Sequence, residues 1–190
     1  YTRLREEAEG RARNLELIHE VVQQVIGLTD SREVAAITAD LLARYFAYEL
    51  AAVFIADAAG NLTIGGFGGA SQNVVKRAMK SVEYPVIGGV TGHVFETGEG
   101  VVINDVLQDN RYTPIKGWQA GSEMCVAIRE GTKILGIVDV ESSSRNAFTH
   151  NDYIALESLA GILATVITSA DQYQRLQITI SQLRSMQVEL

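Results

Sequence analysis

The residues able to carry chemistry are few and scattered: three histidines, one cysteine, a glycine-rich run and one stretch that mixes aromatic and charged side chains. His19, His93 and His150 do not fall at the spacing that brings imidazoles onto one metal. Cys125 lies between Met124 and Val126 in an apolar run and reads as a small buried hydrophobe. A single thiol makes neither an internal disulfide nor a thiolate cluster. Gly65-Gly66-Phe67-Gly68-Gly69 lacks the Lys-Ser/Thr that a phosphate loop carries into its helix, so it reads as a flexible or tightly turning loop. No Ser-His-Asp, Cys-His or paired-carboxylate arrangement follows from spacing. The expectation is therefore a protein that is not an enzyme, with no metal and no cofactor. What remains is the segment Asp105–Glu123, where Arg111, Tyr112, Trp118, Ser122 and Glu123 gather on one rim. Aromatics with a few polar groups suit a small organic ligand.

The elements that must hold this rim are legible from periodicity. Ala51–Ala56 is a strand run, and Asp57–Asn61 is a turn of hairpin composition that leads to a short returning strand, Leu62–Ile64. Ser71–Lys80 reads as helix, Pro85 and Gly88-Gly89 as loop, and Thr91–Thr97 as a short helix stopped by Gly98. Val101–Ile103, Met124–Ile128 and Ile134–Val140 are strands, the last two joined around Arg129–Thr132. Tight turns pair strands antiparallel, so the fold class is α+β: an antiparallel sheet carrying helices.

Helices flank the sheet in sequence. The first runs from Leu4 to about Leu28, with a seam through Leu15, Ile18, Val22 and Val25. Asp30 and Glu33 form a capping box for a second, Arg32 to about Tyr45. The last starts at the Thr149/Asp152 cap and continues to Leu190. Its first half is apolar over a wide face, from Tyr153 to Ile167. Its second narrows to Tyr173, Leu176, Ile180, Leu183 and Leu190, a seam that requires a partner helix. The division expected is a signalling helix over 1–29, a globular domain over 30–168 and a coiled-coil helix over 169–190. The two seams predict a parallel homodimer.

Composition narrows the partners. A formal net charge of −7 repels phosphate backbones and anionic lipid, which argues against nucleic acid and membrane surface. No signal peptide and no continuous apolar stretch of spanning length is evident, so a cytoplasmic location is expected. The chain opens at Tyr1 rather than Met and ends within a helical pattern, as a segment of a longer protein would.

The ordered set of short motifs resembles the GAF family. It comprises Gly89-Val90-Thr91-Gly92-His93-Val94-Phe95-Glu96-Thr97-Gly98-Glu99, Asn104-Asp105-Val106, and Asp109-Asn110-Arg111-Tyr112. Ser122–Ile128, Leu135–Ser142, and Phe148 with Asp152 complete it. The resemblance spans about Asp30 to Ile167. It implies a five- or six-stranded antiparallel sheet with helices on both faces and long helices at both ends. The ligand pocket would lie under the loops between Phe67 and Gly121. That layout adds Phe67, His93 and Asp105 to the candidate ligand-binding residues Arg111, Tyr112, Trp118, Ser122 and Glu123.

The function expected is a non-catalytic sensory domain. It takes a small-molecule or interdomain signal and passes it through a dimeric helix to an output domain such as a histidine kinase or nucleotide cyclase. Three alternatives stand beside it: a purely structural dimerisation unit, a tetrapyrrole or haem sensor, and a cyclic-nucleotide receptor. For the last, Asn146, Phe148 and Asp152 fit the family's pattern only in part, because no Lys follows Asn146. Cys125 lacks the following His of a bilin site. The free-methionine-sulfoxide reductases that share the fold are set aside because one cysteine cannot both form and resolve a disulfide.

Overall fold

The computed structural model describes residues 2–46, 48–79 and 88–188. Its strands are β1 (Leu50–Ala56), β2 (Leu62–Gly68), β3 (Val101–Ile103), β4 (Ser122–Glu130) and β5 (Lys133–Ser142). They form one antiparallel sheet in the order β2-β1-β5-β4-β3. Side chains alternate across it as the strand period requires. Ala51, Val53 and Ile55 join the core beneath α1 (Thr2–Val25), α2 (Ser31–Phe46) and α5 (His150–Val188). Leu50, Ala52 and Phe54 join a smaller core on the other face, beneath α3 (Gln72–Met79), α4 (Gly89–Thr97) and the segment 104–121. The predicted loop at Pro85 and the seam residue Leu190 lie outside the described residues.

Local chemistry sets the element ends. Asp57 Oδ1 accepts from the backbone N–H of Ala59 and Asn61, which closes the β1–β2 turn. Gly98 ends α4 at φ 72°, its N–H donating to Val94 O. At the start of α5, Asp152 Oδ2 accepts from the N–H of Thr149, and Thr149 Oγ1 accepts from the N–H of Asp152. This is the reciprocal box expected from the sequence.

The glycine-rich run is the first correction. Gly65, Gly66 and Gly68 are strand residues of β2, with α2 lying directly on them. A Cβ at Gly66 would stand 2.4 Å from Ala36 Cα, and one at Gly68 would stand 2.1 Å from Ala39 O. The glycines permit close helix-on-strand packing rather than loop motion.

The first helix is the second correction. Its buried stripe is Asn14, Leu17, Val21 and Val25, packed on α2 and α5, and it shares only Val25 with the predicted seam. Val25 is 0% exposed within its own subunit, which removes it from any interface with a second copy. Leu15 is 68% exposed, and Ile18 and Val22 are half-buried.

α5 is continuous over 39 residues, about 58 Å at 1.5 Å per residue. Leu156, Leu159, Leu163 and Ile167 are buried in the main core, each stabilising the fold by roughly 1.5–3 kcal/mol. Beyond Ala170 the helix projects, and Tyr173, Leu176, Ile178, Leu183 and Met186 are exposed. By length and composition this helix passes as a membrane span, contrary to expectation. Its N-terminal half, however, is the core helix of a globular domain.

Candidate functional site

The chemistry sits on the sheet face away from the long helices, and β4 and β5 create it. Glu123 pairs with Glu141, and Cys125 with Asp139, across the β4–β5 ladder. All four side chains therefore point to one face, in two adjacent rows. Ile103 and Leu50 continue the first row outward, and Val101 and Ala52 the second. Glu123, Asp139 and Glu141 are 3%, 4% and 4% exposed, so three carboxyl groups occupy the middle of an apolar sheet. One oxygen from each lies within 4.8 Å of the others.

Such a cluster is costly to ionise. Burial first, and then Glu141, pushes the Glu123 carboxyl up to about 8. Burial raises Glu141 to about 7, although the Trp118 hydrogen bond pulls the other way. Asp139 is also raised, by burial and then by Glu123 and Glu141. A side-chain interaction between the two acids holds Glu123 down and pushes Asp139 further up. Glu123 Oε2 and Asp139 Oδ1 remain buried without a hydrogen-bond partner. The same surroundings hold the Cys125 thiol neutral, burial first and Asp139 second.

The segment 104–121 roofs this floor. Trp118 lies half-buried over it and donates its indole N–H to Glu141 Oε2. Tyr112 packs beside it, its hydroxyl accepting from the N–H of Ala120. Burial, and then Glu141, pushes the Tyr112 phenol up to about 12. Backbone bonds tie this roof to the chain entering α5: Gly121 N–H donates to Ser142 O, and Asn146 N–H to Asn104 O.

Of the predicted ligand-binding residues, Glu123, Trp118 and Tyr112 come together here. The others do other work. Ser122 alternates to the opposite face of β4, where its Oγ donates to Ser144 O and accepts from the N–H of Ala147. It leaves the site for that reason. Arg111 forks onto Asp109, Nε to Oδ1 at 2.9 Å and Nη2 to Oδ2 at 2.6 Å, and this pairing holds the Asp109 carboxyl down at about 2. Asp105 caps the 3-10 turn at Leu107 and pairs with Arg145 at 3.3 Å, lining a polar cavity of about 260 Å³ with Gln119 and Ser143. Phe67 packs edge-on against Phe54. His93 is a half-buried residue of α4. Phe148 lies in the main core and Asp152 in the helix cap, so two of the three residues of the cyclic-nucleotide pattern have structural duties.

Asp139 and Glu141 were missed. The signal available was two acids spaced by two in an otherwise apolar strand, Ile137-Val138-Asp139-Val140-Glu141, which places both on one face.

The architecture is that of a small α+β domain: a sheet, a helical layer on one face and a roofed polar floor on the other. The GAF domain family model matches residues 30–167, and the chain belongs to that family of sensory and regulatory modules. No curated protein matches at a significant level. Among solved structures, the chain is similar to the GAF domain of a Coxiella burnetii phosphoenolpyruvate-protein phosphotransferase. That likeness has 17% identity and a TM-score of 0.74, over 86% of this chain and 98% of that one. It is also similar to the free methionine-R-sulfoxide reductase of Neisseria meningitidis in complex with its substrate, at 22% identity and TM-score 0.71, over 84% and 91% of the two chains. The type II enzyme of Thermoplasma acidophilum matches at 21% identity and TM-score 0.59, over 74% and 96%.

The expectation that the chain is not an enzyme is thereby corrected, because structures of this fold include reductases. The exclusion rested on motif spacing along the chain and on the single thiol; the fold, in addition, gathers carboxyls from two strands, where linear spacing does not reveal them.

Proposed function

We propose that the chain is the input module of a regulatory protein. A small molecule is received between the carboxyl floor and the 104–121 roof, and α5 carries the response to an output domain within a cytoplasmic homodimer. The observation that carries this reading is the change of character along α5. Its first half is core, and its second half exposes Tyr173, Leu176 and Leu183, with Ile180 half-buried. An apolar stripe on a projecting helix is covered most simply by the same stripe of a second copy. The roof and the start of α5 are joined through the backbone bonds of Gly121 and Asn146, so a displaced roof pulls on the helix entry. Two helix packings of similar energy would supply the bistable element that a relay needs. Mass measurement at tens of micromolar tests this: a dimer is expected for the wild type and a monomer for Ile180→Asp with Leu183→Asp. A monomeric wild type sinks the relay.

A second reading rests on Cys125, which stands directly opposite Asp139 on the same face. A thiol beside protonated carboxyls has the groups needed to reduce a sulfoxide. The carboxyl protonates the sulfoxide oxygen, the thiol sulfur takes that oxygen as a sulfenic acid, and the substrate leaves as a thioether. Two equivalents of an added thiol then regenerate Cys125 and release water and a disulfide. Free methionine-R-sulfoxide with dithiothreitol is the substrate pair to assay. Methionine formation that Cys125→Ser abolishes supports the reading, and no turnover refutes it.

A further inference from the structure

We propose that Glu123, Asp139 and Glu141 form a binding site for one hard divalent cation of the size of Ca²⁺ or Mn²⁺. The proposal deepens the input-module reading by naming the class of ligand, and it rests on that reading only for the downstream consequence. Three features of the floor carry it.

First, the donor set is all oxygen. Three carboxylates from two neighbouring strands converge, with no imidazole among them, and such sets select Ca²⁺, Mn²⁺ or Mg²⁺ over the softer metals. Second, the spacing fits one ion. Oxygens on opposite sides of a Ca²⁺ ion, at 2.3–2.6 Å each, stand about 4.6–5.2 Å apart, whereas those of Mg²⁺ stand about 4.0–4.2 Å apart. One oxygen of each carboxyl falls within 4.8 Å of the other two, inside the limit set by the larger ion. Third, two oxygens lack partners. Glu123 Oε2 and Asp139 Oδ1 are buried with no donor, although the orphaning of a buried carboxyl oxygen is costly. None of the ion pairs between described residues reaches the trio, and Arg111, the cation whose charge acts on Glu123, is already forked onto Asp109. A divalent ion held by the trio offsets most of the charge of three carboxylates and gives the two under-partnered carboxyls a cation.

The fold provides a reporter. Trp118 is the sole tryptophan and its indole donates to Glu141. An ion that takes Glu141 as a ligand changes or breaks that bond, so loading is legible in tryptophan emission. It also shifts the roof that the backbone ties to the entry of α5.

The test uses the whole 190-residue chain, stripped with chelator and titrated near neutral pH with MnCl₂ and, separately, CaCl₂. Bound Mn²⁺ is counted by electron paramagnetic resonance, and Trp118 emission is followed in parallel. The expected result is one ion per chain, a saturable emission change and a rise in the thermal midpoint with free ion. Asp139→Asn and Glu123→Gln keep the shape of the side chain, and each should weaken binding by about tenfold or more. Both should fold, because a neutral amide replaces a carboxyl that burial already disfavours in its charged form. Their thermal midpoints without metal therefore stand at or above the wild-type value, which separates lost ligation from lost fold. Absence of stoichiometric Mn²⁺ and Ca²⁺ binding at millimolar ion overturns the proposal, as does binding that both variants leave unchanged. Mass measured on the same samples separates the two readings. A dimer that binds no ion refutes the cation site alone, and a monomer that binds one refutes the relay alone.

Discussion

Trp118 and Glu141 are 23 residues apart in sequence, yet the indole N–H of one donates to the carboxyl of the other across the sheet face. This bond joins the roof to the floor. The bond favours the ionised form of Glu141, while burial, the larger cause, favours the neutral form. The roof therefore helps to set the charge of the floor, and a group that enters between them acts on both.

Trp118→Phe keeps the aromatic bulk and removes the donor. We expect a loss of stability of about 1–3 kcal/mol, the usual range for orphaning a buried hydrogen-bond partner of an acid. Trp118→Phe with Glu141→Leu removes both partners and should recover much of that loss. Urea unfolding of the four proteins completes the cycle. A coupling energy near zero would mean that the bond holds nothing together.

The pH profile follows from the floor. Glu123 at about 8 and Glu141 at about 7 lie above the ordinary carboxyl value of 4.5, so the folded protein binds more protons than the unfolded chain. Their contribution to stability is fully present below pH 4.5 and is lost as pH rises through 7 and 8. In chelator, the thermal midpoint should therefore fall between pH 5.5 and 8.5, by about 5 °C or more. Glu123→Gln should flatten the fall. A midpoint that holds level or climbs over this range would contradict the raised carboxyls.

Much of this fold was open to a reader of the sequence. The continuous apolar run Ala51–Ala56, the turn chemistry of Asp57 and the Thr149/Asp152 box act through neighbours in the chain, and each stands where composition and capping place it. Trp118, Tyr112 and Glu123 were legible as spatial neighbours because they share one segment. Asp139 and Glu141 were not, because their meeting with Glu123 is a product of strand register, which sets Glu141 opposite Glu123, 18 positions on, and Asp139 on the diagonal. Ser122 failed for a related reason: a strand alternates its faces, so a neighbour of Glu123 in sequence is its opposite in space. Val25 was misplaced because a narrow helical seam has the same period whether a second copy or the subunit's own core covers it.

The glycines of β2 give a prediction that distinguishes packing from loop motion. A methyl group at Gly66 meets Ala36 Cα at 2.4 Å and its N at 2.7 Å, both backbone atoms that cannot turn aside. Either α2 lifts from the sheet or the strand bends, and overpacking of this kind costs about 1–3 kcal/mol or more. Gly60→Ala is the comparison. Gly60 has open space around it but lies at φ 84°, so its cost is backbone strain alone, about 1 kcal/mol. Gly66→Ala should therefore unfold at clearly lower urea than Gly60→Ala. The reverse order would mean that the β2 glycines are loop residues after all and that α2 does not rest on them.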